Sequence, residues 1–337
     1  MDNKLKIGIT HGDINGIGYE VILKTLDDNR LTELCTIIVY GSPKVAAYHR
    51  KLTDTNINLN LIGKPADANP SRINIINCCG DEVKVDLGKS TSTAGEASFA
   101  ALERATQDLK EGEIDALLTA PINKNNIQSA QFSFPGHTEY LEQLFGQEGD
   151  ALMILANDKL RVAVVTGHVP ISKVSSLLTT EKIITKIEQF NLSLQQDFGI
   201  SKPRIAVLGL NPHAGDGGVL GSEEQEIIQP AIDQMRDKGI TCFGPLPADG
   251  FFGSENYTHY DGILAMYHDQ GLIPFKTLAM ENGVNFTAGL PIVRTSPDHG
   301  TAYDKAGKNQ ANPTSLRQAL YMAIDIVKQR NCNNDSL

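Results

Sequence analysis

Short apolar runs and amphipathic stretches alternate along the whole chain, and this alternation restricts the fold more than any composition value does. "KIGIT" (6–10), "CTIIVYG" (35–41), "DALLTAPI" (115–122), "LRVAVVTGH", "PRIAVLGLNPH" and "GILAMYH" read as strands. Between them, "GYEVILKTL" and "EKIITKIEQFNLSLQQDFG" carry helical periodicity, and "SLRQALYMAIDIVKQRN" is apolar at 316, 320, 323, 324 and 327. Two more helices announce their starts with capping boxes: Thr93 to Glu96 ahead of "ASFAALERATQDLKEG", and Ser222 to Gln225 ahead of "EIIQPAIDQMRDKG". The expected class is therefore α/β. At 337 residues the chain suits two domains, although no repeat or low-complexity linker marks a boundary.

Charge removes some functions from consideration. The net charge is −10, with acidic and basic residues mixed, so the chain lacks the basic stripe that a nucleic-acid binder needs. An anionic ligand would have to be held by a local cluster of Lys, Arg and helix ends. The five cysteines form no CxxC pair, and the Cys78-Cys79 neighbours read as small buried or loop residues. "MDNKLKIGIT" runs straight into a strand, and no apolar run reaches the ~18 residues that span a bilayer, so a cytoplasmic protein with no membrane partner is expected.

Chemistry gathers at the strand ends. Three of the eight histidines, His168, His213 and His268, lie just past the apolar runs "VAVVT", "IAVLGL" and "GILAMY". In an open parallel sheet that edge is where ligands bind, and loops from strands ~4.8 Å apart can converge on one atom. One such histidine is ordinarily a solvated loop residue. Three together favour a catalytic divalent metal with an open position. Of the others, His49 and His259 read as surface, and His11 stays open between loop and site.

Further candidates share these loops. "FPGHTEYLEQLFG" puts His137 and Thr138 at the mouth of a helix, where free N–H groups favour an anion. "HAGDGGVLGSEE" could cradle phosphate or be a plain loop. "GDINGIG" spaces its glycines differently from a dinucleotide fingerprint. Lys276 and Arg294 stand where anion contacts would be, and Asp269 follows His268 directly.

Taken together, "GDINGIGYE", "LLTAPINK", "FPGHTEYL", "VTGHVP", "LNPHAGDGGVLGSEE", "GPLPAD", "MYHDQGLIPFK" and "DHGTAYDKAGK" resemble the 4-hydroxythreonine-4-phosphate dehydrogenase (PdxA) family nearly end to end. That family is similar in fold to isopropylmalate and isocitrate dehydrogenases. The resemblance implies a two-domain α/β/α subunit with an active-site cleft between domains. The outer, cofactor-side domain would span residues 1–135 plus 290–337, and the inner, metal-binding and dimerising domain residues 136–289. It also implies a homodimer whose active site is shared, the metal being held by histidines from both chains.

The same resemblance implies NAD or NADP as hydride acceptor and one divalent metal per site (Zn, Co, Mg or Mn), held by His168, His213 and His268. Substrate contacts fall to His137, Thr138, Lys276, Asn285 and Arg294. The cofactor loop falls to His299, Gly300, Thr301 and Ala302, within "HGTAYDKAGKNQANP". The implied reaction oxidises the secondary hydroxyl of 4-phosphohydroxy-L-threonine and then loses CO2, giving 3-amino-2-oxopropyl phosphate for pyridoxal phosphate biosynthesis. Asp249 or Asp269 would take the hydroxyl proton. The alternative within the family is 4-phospho-D-threonate or 4-phospho-D-erythronate oxidation. The chain departs from the family at Ile14-Asn15, where Pro-Ala is usual, at Tyr19 in place of Pro, and at Gly250 in place of Thr.

Overall fold

A computed structural model describes residues 4–80, 82–279 and 281–334 of the chain. Within them the apolar runs are strands and the amphipathic stretches are helices. The chain divides into one unit of residues 1–146 and 291–327, and a second of residues 147–290 and 328–337.

The first unit carries β1 (Lys6–Thr10), β2 (Thr36–Gly41), β3 (Leu59–Ile62), β4 (Ile73–Asn77), β5 (Ala116–Thr119) and β12 (Arg294–Pro297). They lie in the order β3-β4-β2-β1-β5-β12 and all pair in parallel. β2 and β5 are buried along their whole length, as strands covered on both faces must be. The helix Ser92–Lys110 is capped by Thr91, whose Oγ1 accepts from the Ala94 N–H at 3.2 Å, so the cap lies two residues before the expected Thr93. Thr91 wins because its backbone is extended (φ −132, ψ 150) whereas Thr93 is already inside the helix.

Two other expectations fail in this unit. His49 is buried rather than at the surface: its Nε2 lies 2.9 Å from the Ile14 carbonyl and its ring stacks on Tyr19. The helix His137–Phe145 groups with the first unit, not the second, because Tyr140 packs with Phe99 and Phe132 at ring distances of 6.2 and 5.3 Å.

The second unit carries β6 (Leu152–Ala156), β7 (Arg161–Thr166), β8 (Ile205–Leu208), β9 (Cys242–Leu246), β10 (Gly262–Tyr267) and β11 (Val284–Ala288), in the order β11-β6-β7-β10-β8-β9. β7, β10, β8 and β9 run parallel; β6 is antiparallel to both β7 and β11. Val162, Val164, Ala206, Leu208, Ile263, Leu272 and Phe275 form its core, each large side chain contributing about 1.5–3 kcal/mol by leaving water. The helix Thr180–Gln196 buries Ile183, Ile187, Phe190 and Leu194 at helical spacing and is capped by Thr179. Residues 328–337 join this unit, and Arg330 Nε lies 2.7 Å from Asp197 Oδ1.

The expected capping box at Ser222 is absent. The chain instead enters its helix through a π turn, Glu224–Ile228, because Glu224 is drawn inward to bond the preceding loop. Among the described residues no disulfide forms, and no helix is long and apolar enough to cross a membrane.

Candidate active site

β7, β10 and β8 are neighbours and parallel, so the segments that follow them leave from one edge of the second unit's sheet. The three histidines singled out by sequence occupy those segments. Thr166 Oγ1, at the end of β7, donates to the Met266 carbonyl in β10 at 2.8 Å and ties two of the strand ends together. Beyond them the His168 and His268 rings lie 5.7 Å apart. Both line a pocket of about 260 Å³ with Gly167, Val169, Tyr267 and Asp269.

His268 opens the helix His268–Ala279 and is braced by its neighbour, with Nδ1 2.7 Å from Asp269 Oδ1. A carboxylate at that distance takes the Nδ1 proton as a hydrogen bond and leaves the Nε2 lone pair available to a cation. Two facing imidazoles, one of them so oriented, fit a divalent ion. His213 is not brought to them: it does not line the pocket, and no group of three His, Cys, Asp or Glu side chains is poised around a metal position among the described residues.

The reason lies in the loop. From His213 to Gly218 every residue has positive φ (55, 51, 79, 44, 65 and 100°), three of them not glycine. Such a run is strained and needs a clamp. Glu224, 2% exposed, supplies it: Oε1 accepts from the Leu210 and Asn211 N–H groups, both at 2.7 Å, and Oε2 from Asn211 Nδ2 at 3.0 Å. Gln270, in the helix His268–Ala279, braces the segment by donating to the Gly209 carbonyl and accepting from Met266 N of β10 at 2.7 Å. Asp249, exposed, lies in the first turn of the helix Ala248–Gly253. Lys276 is exposed two turns after His268, and Asn285 stands on β11 with its Oδ1 buried and lacking a hydrogen-bond partner.

The first unit holds a second cluster. Arg294, only 3% exposed on β12, donates from Nε and Nη2 to Thr119 Oγ1 at 3.1 and 2.7 Å. Burial lowers its pKa to about 10, opposed by the Glu139 carboxylate. His137 begins its helix with Nε2 buried and without a hydrogen-bond partner, and Thr138 follows it. Burial, with Arg294 and Lys124 nearby, holds that imidazole well below its usual pKa and therefore neutral. A guanidinium, a neutral imidazole and a helix start suit an anionic oxygen.

The segment His299 to Ala302 is fastened to the first loop. The Thr301 carbonyl accepts from Ile17 N at 3.0 Å, Ala302 has φ 42°, and His299 Nδ1 lies 3.1 Å from the Gly300 carbonyl. Next to it Tyr303 donates to Asp13 Oδ2 at 2.7 Å, which also accepts from Asn126 Nδ2 at 2.8 Å. Burial and the Asp13 carboxylate push the phenol up to about 12. Sequence reasoning noted Asn15 only as a departure from the family pattern and missed Asp13, Tyr303 and Glu224. A buried polar residue inside a short turn, as in "GDINGIG", was the available signal. His11 turns out to be fully buried against Tyr19, and burial pushes its pKa down to about 4. Cys78 and Cys79 are half-buried, their thiols raised to about 12 and about 11 by burial.

Comparisons with known proteins point to one family with more than one named substrate. The curated 4-hydroxythreonine-4-phosphate dehydrogenase of Bacteroides thetaiotaomicron is 60% identical over 98% of this chain and 90% of its own length. The D-threonate 4-phosphate dehydrogenase of Pectobacterium atrosepticum is 38% identical over 95% and 99%. The crystal structure of 4-hydroxythreonine-4-phosphate dehydrogenase from Klebsiella pneumoniae matches with a TM-score of 0.84 at 38% identity, covering 97% of this chain and 98% of that one. Isocitrate dehydrogenase from Methylococcus capsulatus shares the fold, with a TM-score of 0.52 at 12% identity over 98% and 88%. A family profile described as pyridoxal phosphate biosynthetic protein PdxA matches residues 33–323. On that match, and on relatives similar along nearly its whole length, the chain belongs to the PdxA family.

Proposed function

We propose that this chain oxidises the secondary hydroxyl of 4-phosphohydroxy-L-threonine, with NAD or NADP as hydride acceptor, and that loss of CO2 then gives 3-amino-2-oxopropyl phosphate for pyridoxal phosphate biosynthesis. The observation that carries the reading is the His168–His268 pair, rings 5.7 Å apart in one pocket, in a chain 60% identical to an enzyme of that name. A divalent metal (zinc, cobalt, magnesium or manganese) bound by His168, His268 and His213 would acidify the hydroxyl and stabilise the charge left by decarboxylation, while the nicotinamide accepts the hydride.

The chain's own groups supply the rest. Asp269 is committed to His268 and orients it, which leaves Asp249 as the candidate to take the hydroxyl proton. In the first unit Arg294 holds an anionic end of the substrate, and the neutral His137 and Thr138 add hydrogen bonds; residues 299–302 take the dinucleotide. In the second, Lys276 supplies a cation and Asn285 Oδ1 an acceptor for a substrate donor. The protein works as a cytoplasmic homodimer whose partner subunit completes the histidine set. Supporting this, exposed apolar side chains (Val169, Ile171, Val219, Leu220, Ile273, Leu278) crowd the segments that follow β7, β8 and β10.

A second reading is oxidation of 4-phospho-D-threonate or 4-phospho-D-erythronate, the former favoured by the relative named D-threonate 4-phosphate dehydrogenase at 38% identity. Turnover of the three phosphorylated compounds with NAD and with NADP, followed by nicotinamide absorbance, decides between them. Preference for phosphohydroxythreonine is expected; reduction with a phosphorylated aldonate alone would overturn the reading.

A further inference from the structure

Asn15 is wholly buried in the first loop, and every polar atom of its side chain is used. Nδ2 donates to the Lys89 carbonyl at 2.9 Å and to Thr91 Oγ1 at 3.0 Å, and Oδ1 accepts from Asp86 N at 2.7 Å. Its backbone joins in: the carbonyl accepts from Gly88 N at 2.8 Å, and its N–H donates to Asp13 Oδ1 at 2.8 Å. One side chain thus pins the segment 86–91 to the loop 13–17.

Both pinned pieces press on residues 301–307. From the first loop, Ile17 N donates to the Thr301 carbonyl at 3.0 Å, and Gly16 approaches so closely that a Cβ there would meet that carbonyl at 2.7 Å. From the segment 86–91, Gly88 (φ +76) would set a Cβ 3.0 Å from the Tyr303 carbonyl, and a Cβ at Gly307 would meet Leu87 at 2.5 Å. Tyr303 closes the circuit through Asp13. Residues 301–307 are therefore gripped from two sides, and the two grips are joined to each other through Asn15.

We propose that Asn15 is a positioning residue for the dinucleotide: it fixes the segment 86–91 against the first loop, and so sets the wall on which residues 299–307 receive the cofactor. The inference rests on the reading that this stretch binds the dinucleotide. Asn15 touches no reacting atom. Its loss makes the loop pay an ordering entropy on binding that the native chain has already met, and dinucleotide affinity alone should fall.

The test is direct titration of NAD and NADP, with steady-state kinetics, on the full-length protein. Asn15→Ala should weaken dinucleotide binding about tenfold while kcat and the KM for the phosphorylated substrate stay within about twofold. Asn15→Asp, which keeps the acceptor and loses both donors, should not restore binding. Gly300→Phe serves as control: Gly300 is exposed and nothing lies within 4 Å of a Cβ there, so a side chain can leave the backbone without a clash, and the ring should block a dinucleotide bound along the loop. If Gly300→Phe blocks binding and folded Asn15→Ala binds normally, the positioning role is wrong and the loop reading stands. If Gly300→Phe leaves binding intact, the loop reading falls and takes the inference with it. A loss of kcat or substrate KM equal to the loss of dinucleotide affinity would also overturn it. Should Asn15→Ala not fold, Gly88→Ala strains the same segment against Tyr303 and is read by the same outcomes.

Discussion

Glu224→Ala should show how firmly the His213 loop depends on one buried carboxylate. The change removes the acceptor for the Leu210 and Asn211 N–H groups and for Asn211 Nδ2. Leaving a buried donor unsatisfied costs about 1–3 kcal/mol, and water reaches this part-buried loop well enough to recover some of that. The loop also keeps His213, Ala214 and Asp216 at positive φ, an arrangement costing about 1–2 kcal/mol per residue that relaxes once the clamp is gone. Because that relief offsets much of the loss, a net destabilisation of about 1–3 kcal/mol is expected in urea unfolding followed by circular dichroism. Zinc or cobalt affinity, measured by titration calorimetry, should fall ~10–100-fold, since the loop carrying His213, the proposed third ligand, is no longer held. Glu224→Gln keeps one oxygen for the two backbone donors and should recover most of the stability. Gly215→Ala, with a Cβ 2.6 Å from the Glu224 carboxylate at φ +79, should resemble Glu224→Ala. A loss under about 1 kcal/mol for Glu224→Ala, with metal affinity unchanged, would refute the clamp.

Acid sensitivity should trace to buried histidines. His11 titrates at about 4 in the fold, and unfolding returns it to 6.5. The unfolded chain therefore binds more protons between those values, and stability present above pH 6.5 is lost as pH falls, by about 3 kcal/mol at its limit. His49 and His137, also lowered by burial, add to the same slope, and His11→Gln should flatten it in urea midpoints taken from pH 7 to 5. Arg294→Met should weaken phosphorylated-substrate binding by about 2–4 kcal/mol with dinucleotide affinity unmoved; the reverse pattern would exchange the two pockets. Subunit-exchange mixtures of His168→Ala, His213→Ala and His268→Ala test the shared site: two pairs should regain activity, and His168→Ala with His268→Ala, the pair adjacent in one chain, should not. Recovery by that last pair would place those two ligands in different subunits.

Strand positions were readable because a strand covered on both faces is apolar for most of its length, as residues 37–39 of β2 and 116–118 of β5 are. Helix starts were less so: "STST" offers four hydroxyls, and only backbone geometry, with Asn15 holding Thr91, selects one. His49 was misread from its polar neighbours, although Val45, Ala46 and Thr53 share its buried face at helical spacing. Membership of the helix His137–Phe145 depends on aromatic contacts to Phe99 and Phe132, which no local pattern encodes. The same holds in the site. His168 and His268 follow adjacent strands and meet, but the direction of His213 is set by six positive φ angles and a carboxylate eleven residues on. Asp13 and Tyr303 are 290 residues apart in sequence.

The two edges of the second unit's sheet differ in how freely evolution can rewrite them. β6 and β7 are joined by a tight hairpin at residues 157–160, where Asn157 Oδ1 accepts from Lys159 and Leu160 N–H and the Leu160 carbonyl accepts from Asn157 N. Its length sets their antiparallel register, so an insertion there displaces every pairing behind it. The segments after β7, β8 and β10 lead instead into helices, and their length fixes no strand pairing. New side chains can be tried there one loop at a time while the sheet beneath stays as it was. Substrate range in such a scaffold is therefore inherited separately from the fold, which lets closely similar chains turn over different phosphorylated acids.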